Sequence, residues 1–316
     1  MFQFPSVDPI PLPAPVWLFK LLGDVTLVLH FVAMQLLVGS LTLATVWNFF
    51  GKKHSALRDG SDAVIRKIPT AMTYVINFGV PPLLFTQVLY GRALYTSSVL
   101  IGFYWISVIV VLTLTYFLLY KSADRANAGH AWWGYGVLSW IGVVYIAKIF
   151  SINMTLMLRP EAWEPLYQAS GGLGMIFPTG DPSTTPRFLF MLVGGFGLSG
   201  AGLLFMSAFG NEKPEVSGFL RSWGGYLAAA FLVLEMAAGV WVYRVQPEVV
   251  QDGIMSGTLT SYALWAWAVF TVLAVVVSLI AALWGKTGSK ILAAAAILFG
   301  ALGTAGFVVV RDGIRD

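Results

Sequence analysis

Eight stretches of this chain are long enough and apolar enough to cross a lipid bilayer, and that feature leaves few folds open. They lie near 23–50, 69–91, 97–120, 131–158, 187–210, 217–243, 259–284 and 289–310. A hydrocarbon core is crossed by about 20 mostly apolar residues in a helix. Inside it every backbone N–H and C=O needs an internal partner, which leaves helices and closed barrels. Continuous apolar runs of this length fit helices, so the expected fold is all-α, a polytopic transmembrane bundle of about eight helices. Composition agrees. The chain is 58% hydrophobic and 11% charged, with mean hydropathy +0.78, where soluble domains carry about 25% charged residues. Cysteine is absent, which excludes disulfides, thiolate metal sites, iron–sulfur clusters and covalent c-type haem on this chain. The net charge of +4 is spread over the loops and gives no basis for a nucleic-acid partner.

The first 22 residues read as an extramembrane arm ending in an interfacial lead-in, PVWLFKLL over 15–22, with Pro15 near its first turn. The arm has no basic n-region and no small-residue cleavage site. Residues 23–316 form a single transmembrane domain. Orientation is read from the loops. The segment between the first two spans holds Lys52, Lys53, Arg58, Arg66 and Lys67; the loops on the same side add Lys121, Arg125, Lys213, Arg221, Lys286 and Lys290. The opposite side has Lys20, Arg92, Arg159, Arg187, Arg244, Arg311 and Arg315, so the balance is eleven to seven. By the positive-inside rule the dense cluster is cytoplasmic and both termini face outward. The outer loop 159–187, rich in Gly, Pro and Thr, is long enough to serve as a docking surface.

Ionisable groups inside spans are costly and mark candidate sites. Three stand out: His30, Lys148 and Glu235. At 1.5 Å per residue each lies roughly 12–15 Å below the outer surface, which suggests one shared site, with Asp24 linked to His30 through water. His30 is either a haem ligand or a hydrogen-bonded packing residue. Lys148 and Glu235 are either a structural ion pair or part of a proton path or quinone head-group site. His54 reads as solvated. His130, beside Trp132 and Trp133, reads as an interfacial anchor with a second-haem alternative. Met34, one turn from His30, and Met154 and Met157 are either axial ligands or packing. Pro81 and Pro82 predict a kink, and the glycines of 193–202 predict close helix approach.

The residues HFVAMQLLVG from His30 onward resemble the first helix of subunit I of the cytochrome bd quinol oxidases. INFGVPPLLFTQVLYG (76–91) is similar to that family's segment ending in Glu–Phe–Gln–Phe–Gly, and SINMTLMLRPEAW (151–163) to its Asn-containing helix end. RFLFMLVGGFGLSGAGLLFMSA (187–208) resembles the helix opening with Lys-Phe-Val-His, and VQPEVVQDGIMSG (245–257) the loop near the quinol site. The likeness runs in order over about 20–260. It implies a haem b on His30 and a quinone or quinol substrate. Departures go with it. Phe190 stands at the low-spin haem histidine and Gln87 at a family glutamate; Val249 and Ile254 replace the loop's Lys and Glu. The third span, 97–120, lacks the family's carboxylates, so an oxygen reductase is excluded.

The resemblance therefore implies a trimmed relative, the membrane subunit of a respiratory electron-transfer complex. It would pass electrons between membrane quinone and a periplasmic cytochrome c or iron–sulfur protein. Glu235 and Lys148 are the expected acid/base pair, and His30, Gln87 and Met34 the expected cofactor contacts. The alternatives are a haem-free anchor subunit and, behind it, a transporter.

Overall fold

The computed structural model describes residues 11–178, 181–283 and 289–315. Among them the structure is helical and contains eight helices long and apolar enough to cross a membrane. The protein is a multi-pass membrane protein with the bilayer as its solvent. The long helices are α1 (Val16–Phe50), α3 (Ile68–Leu100), α4 (Gly102–Asn127), α5 (Trp133–Leu156), α7 (Thr184–Phe209), α8 (Pro214–Arg244), α10 (Leu259–Leu283) and α11 (Lys290–Arg315). Three short helices, α2 (Ser55–Ile65), α6 (Trp163–Ala169) and α9 (Glu248–Met255), lie in what sequence reading treats as plain loops. They are short and polar, and hydropathy does not register such segments.

The lead-in over 15–22 is not a separate element. Pro15 precedes the first turn of α1, which continues unbroken to Phe50. Its 35 residues span about 52 Å, well beyond a hydrocarbon core of about 30 Å. The helix is unevenly packed. No residue before Gln35 is buried, whereas ten from Gln35 to Asn48 are.

A kink is expected at Pro81 and Pro82. Both prolines sit inside helical backbone, and the departure comes at Tyr90, with φ −131° and ψ 30°. The Thr86 hydroxyl donates to the Pro82 carbonyl at 2.8 Å.

Helix–helix contact in lipid depends on close packing rather than on the hydrophobic effect, so small residues mark the interfaces. Helix α7 packs chiefly on α8 and α1, and α10 on α11. A Cβ built on Gly200 would lie 2.7 Å from the Gly224 carbonyl and 2.8 Å from Ala228 Cα. The two backbones therefore touch where a side chain would hold them apart. Lys20 at the start of α1 lies 3.9 Å from Asp312 near the end of α11, so the first and last helices meet at one end of the bundle.

The opposite end is closed by a polar node. Asn48 Oδ1 accepts from the amides of Trp132 and Trp133 at 2.9 and 3.0 Å. The Trp132 indole donates to Asp62 Oδ1 at 2.8 Å, and Arg58 lies 4.0 Å from the same carboxylate. Trp132 is 1% exposed, so it is a core residue holding α2 against α1 and α5. The long loop after α5 is pinned as well. The Phe103 amide donates to the Gly174 carbonyl at 3.3 Å and the Tyr104 hydroxyl to the Met175 carbonyl at 2.9 Å. Gly174 has φ +62°, and a Cβ there would lie 2.7 Å from the Gly102 nitrogen.

Candidate functional site

The three intramembrane ionisable residues face different neighbours. No hydrogen bond or ion pair joins any two of them among the described residues. The shared site expected from their common depth is therefore not formed, and neither is the Lys148–Glu235 ion pair. The separation is rotational and also axial, since Phe188 and Gly194 lie about 9 Å apart along α7. Lys148 on α5 lies over the Phe188 ring of α7, 5.1 Å from its centroid. Glu235 on α8 lies against Gly194 of the same helix. Positions six residues apart on a helix are turned roughly 120° from one another, so α7 stands between the amine and the carboxyl. Depth could be counted along the sequence; azimuth could not.

His30 is held by α3. Its Nδ1 lies 2.9 Å from the Val75 carbonyl. A carbonyl only accepts, so Nδ1 carries the proton and the lone pair resides on Nε2. That nitrogen has no partner among the described residues and is not sealed in the core. Gly79 makes room for the ring: a Cβ there would lie 2.9 Å from both Nδ1 and Cε1. An imidazole fixed through one nitrogen with the other free is the arrangement that orients metal-ligating histidines. The flanking residues Leu29 and Val80 are exposed apolar side chains.

The other expected ligands fare differently. Met34, four residues from His30 on the same helix face, packs against the apolar cluster of Leu37, Val38 and Met72. Gln87 is half-buried on α3 and makes no hydrogen bond among the described residues. Met157 is fully buried with Ala93 and Leu94, and Met154 packs against them. His54 and His130 are exposed. Phe190, where the resemblance would place a haem histidine, is 2% exposed. The Phe307 and Trp267 rings stand 4.6 and 5.8 Å from it, so side chains fill that space.

Glu235 lines a small cavity between α1, α7, α8, α10 and α11. The carboxylate and the Gln35 amide share the space above Gly194, whose built Cβ would come within 2.5 Å of Glu235 Oε1 and 3.1 Å of Gln35 Nε2. Thr304 of α11 donates toward Gln35 Oε1 at 3.1 Å or toward the Gly300 carbonyl at 3.0 Å. Glu235 itself has no hydrogen bond among the described residues. The cavity measures about 10 Å³, room for one water molecule and not for a quinone ring or a haem. Sequence reading found Glu235 because it is charged. It missed Gln35 and Thr304, because neutral polar residues in apolar helices are common and only three-dimensional pairing sets these two apart.

The outer loop has its own charged cluster. Arg159 pairs with Glu161 and with Asp181. Asp181 Oδ1 also accepts from the Ser183 amide at 2.8 Å, the Ser183 hydroxyl at 2.6 Å and the Thr184 amide at 3.2 Å. Burial alone would push this carboxyl up, but the bonds from Ser183 and the Arg159 charge outweigh it and hold Asp181 below its ordinary 3.8.

No protein-family model matches the chain, and no curated protein sequence matches it.

Proposed function

We propose that the chain is the membrane subunit of a respiratory electron-transfer complex that holds one haem b through His30. The observation that carries this reading is the pairing of His30 Nδ1 with the Val75 carbonyl, which leaves Nε2 a free, oriented donor. The donor set fits a haem with a single protein ligand. The aromatic filling around Phe190 argues against a second haem. When bound, the haem would supply one-electron chemistry. The chain's own part is to orient the imidazole and to present the flanking apolar surface of α1 and α3.

Membrane quinone would meet Lys148, whose half-exposed ammonium can donate to a quinone carbonyl. The cavity at Glu235 is too small for such a contact, which leaves Glu235 only water-sized partners. The redox partner, a periplasmic cytochrome c or iron–sulfur protein, would dock at the end where α1 begins and α11 finishes, beside the segment that follows α5. The charge asymmetry of the loops supports that end as the periplasmic face of a bacterial inner membrane. The ordered likeness to cytochrome bd subunit I supports the same assignment.

The test is an absorption spectrum of the detergent-purified complex with its co-purifying subunits. A Soret band that disappears in His30→Ala while the complex stays assembled supports haem ligation. If no such band exists and His30→Ala retains full turnover, the chain is the haem-free anchor of the complex instead. The filled Phe190 region favours that second reading.

A further inference from the structure

We propose that Glu235, Gln35 and Thr304 form a binding site for one sodium ion in the middle of the helix bundle, with the proton as its competitor. The starting observation is an anion without a partner. Glu235 is 7% exposed, opens on the cavity, and receives neither a hydrogen bond nor an ion pair from any described residue. A carboxylate removed from water carries a large desolvation penalty unless something neutralises it. Among the described residues no other titratable or charged side chain lines the cavity. Helix α1 gives Gln35, α10 gives Trp267 and Thr271, α11 gives Thr304, and α7 gives only glycine and leucine. Neutralisation must therefore come from a small particle inside the cavity.

The surrounding donors select its kind. Hard cations take oxygen ligands. The Thr304 hydroxyl has one proton and two acceptors in reach, the Gly300 carbonyl at 3.0 Å and Gln35 Oε1 at 3.1 Å. When it donates to Gly300, Gln35 Oε1 keeps its lone pairs for an ion. The Thr271 hydroxyl donates to the Trp267 carbonyl at 2.7 Å, so its own lone pairs are free as well. The carboxylate, the Gln35 side-chain amide with its Nε2 on the Glu235 side, and the Thr271 and Thr304 hydroxyls thus line, from four helices, one cavity of about 10 Å³. One carboxylate balances one positive charge. A divalent ion would leave an uncompensated charge in low dielectric, and a larger organic cation does not fit. Gly194 completes the site by being absent as a side chain, since a Cβ there would come within 2.5 Å of Glu235 Oε1.

Equilibrium binding of radioactive sodium to the detergent-purified full chain tests this. The expected result is one ion per chain, displaced on acidification and not displaced by choline. Glu235→Gln should abolish binding, and Thr304→Val should weaken it at least tenfold. The site is overturned if the wild-type protein binds no sodium at alkaline pH, or if binding persists unchanged in Glu235→Gln. Should Glu235→Gln fail to fold, the wild-type measurement and Thr304→Val decide by themselves.

Discussion

Asp62 and Glu235 are each 7% exposed, yet they sit in opposite electrostatic circumstances. Asp62, at the bundle end near α2, takes the Trp132 indole at 2.8 Å, the Asn48 amide at 3.5 Å and the Arg58 charge at 4.0 Å. Glu235, in mid-bundle, faces a neutral amide, hydroxyls and a space for one water. Equal burial with unequal partnering separates a residue that holds the fold from one that the fold holds ready. A satisfied network stabilises a single arrangement, whereas an unsatisfied buried carboxylate persists only where something else keeps it.

That contrast fixes the sign and order of the expected effects. Asp62→Ala strands the Trp132 indole and the Asn48 amide and frees α2 from α1 and α5. It should destabilise the protein by about 3 kcal/mol, read as a lower melting temperature in detergent. Glu235→Gln, in sodium-free buffer, removes an unpartnered charge while keeping shape. It should leave stability unchanged or raise it by about 1 kcal/mol. If the two substitutions destabilise equally, the distinction between the carboxylates fails. The smallest effect belongs to the outer loop. The folded-state value of Asp181 is depressed, so its stabilisation is complete above 3.8 and is lost as pH falls below that value. Arg159 and Asp181 are partly exposed, 42% and 19%, which limits the contribution to about 1 kcal/mol or less. Proteolysis within 159–187 should rise over that acid range in the wild type, and Asp181→Asn should show the same susceptibility already at neutral pH.

The transmembrane architecture was legible because the bilayer imposes a length and a composition on every crossing. Eight apolar runs gave eight long helices. The candidate site was half legible. Charge inside a span drew attention to His30, Lys148 and Glu235, and their depths could be counted. Which way each one points depends on the rotation of α1, α5 and α8 about their axes, and hydropathy says nothing about that. The helices are apolar on nearly every face, so the amphipathic stripe that marks the inward side of a soluble helix is missing. Helix α2 escaped notice for the opposite reason. It is polar by composition, yet Gly60 to Ile65 are buried because Asn48 and Trp132 supply partners from distant parts of the chain. The burial of Trp132 goes with an indole acceptor seventy positions away, a pairing that hydropathy cannot register.

The hydrogen bond between Gln35 and Thr304 spans 269 positions of sequence, and that separation bears on how the protein is made. A chain inserted from its N-terminus places Gln35 in the membrane with the first helix and supplies its threonine only with the last. In the interval the amide must be solvated by water, by lipid head groups or by an insertion chaperone. Biogenesis therefore ends with a closing step, in which the final helix docks and completes the mid-bundle polar chamber. A nascent chain halted before that helix would leave Gln35 without its threonine and the chamber open on that side, and quality-control proteases that survey the bilayer could recognise that exposure.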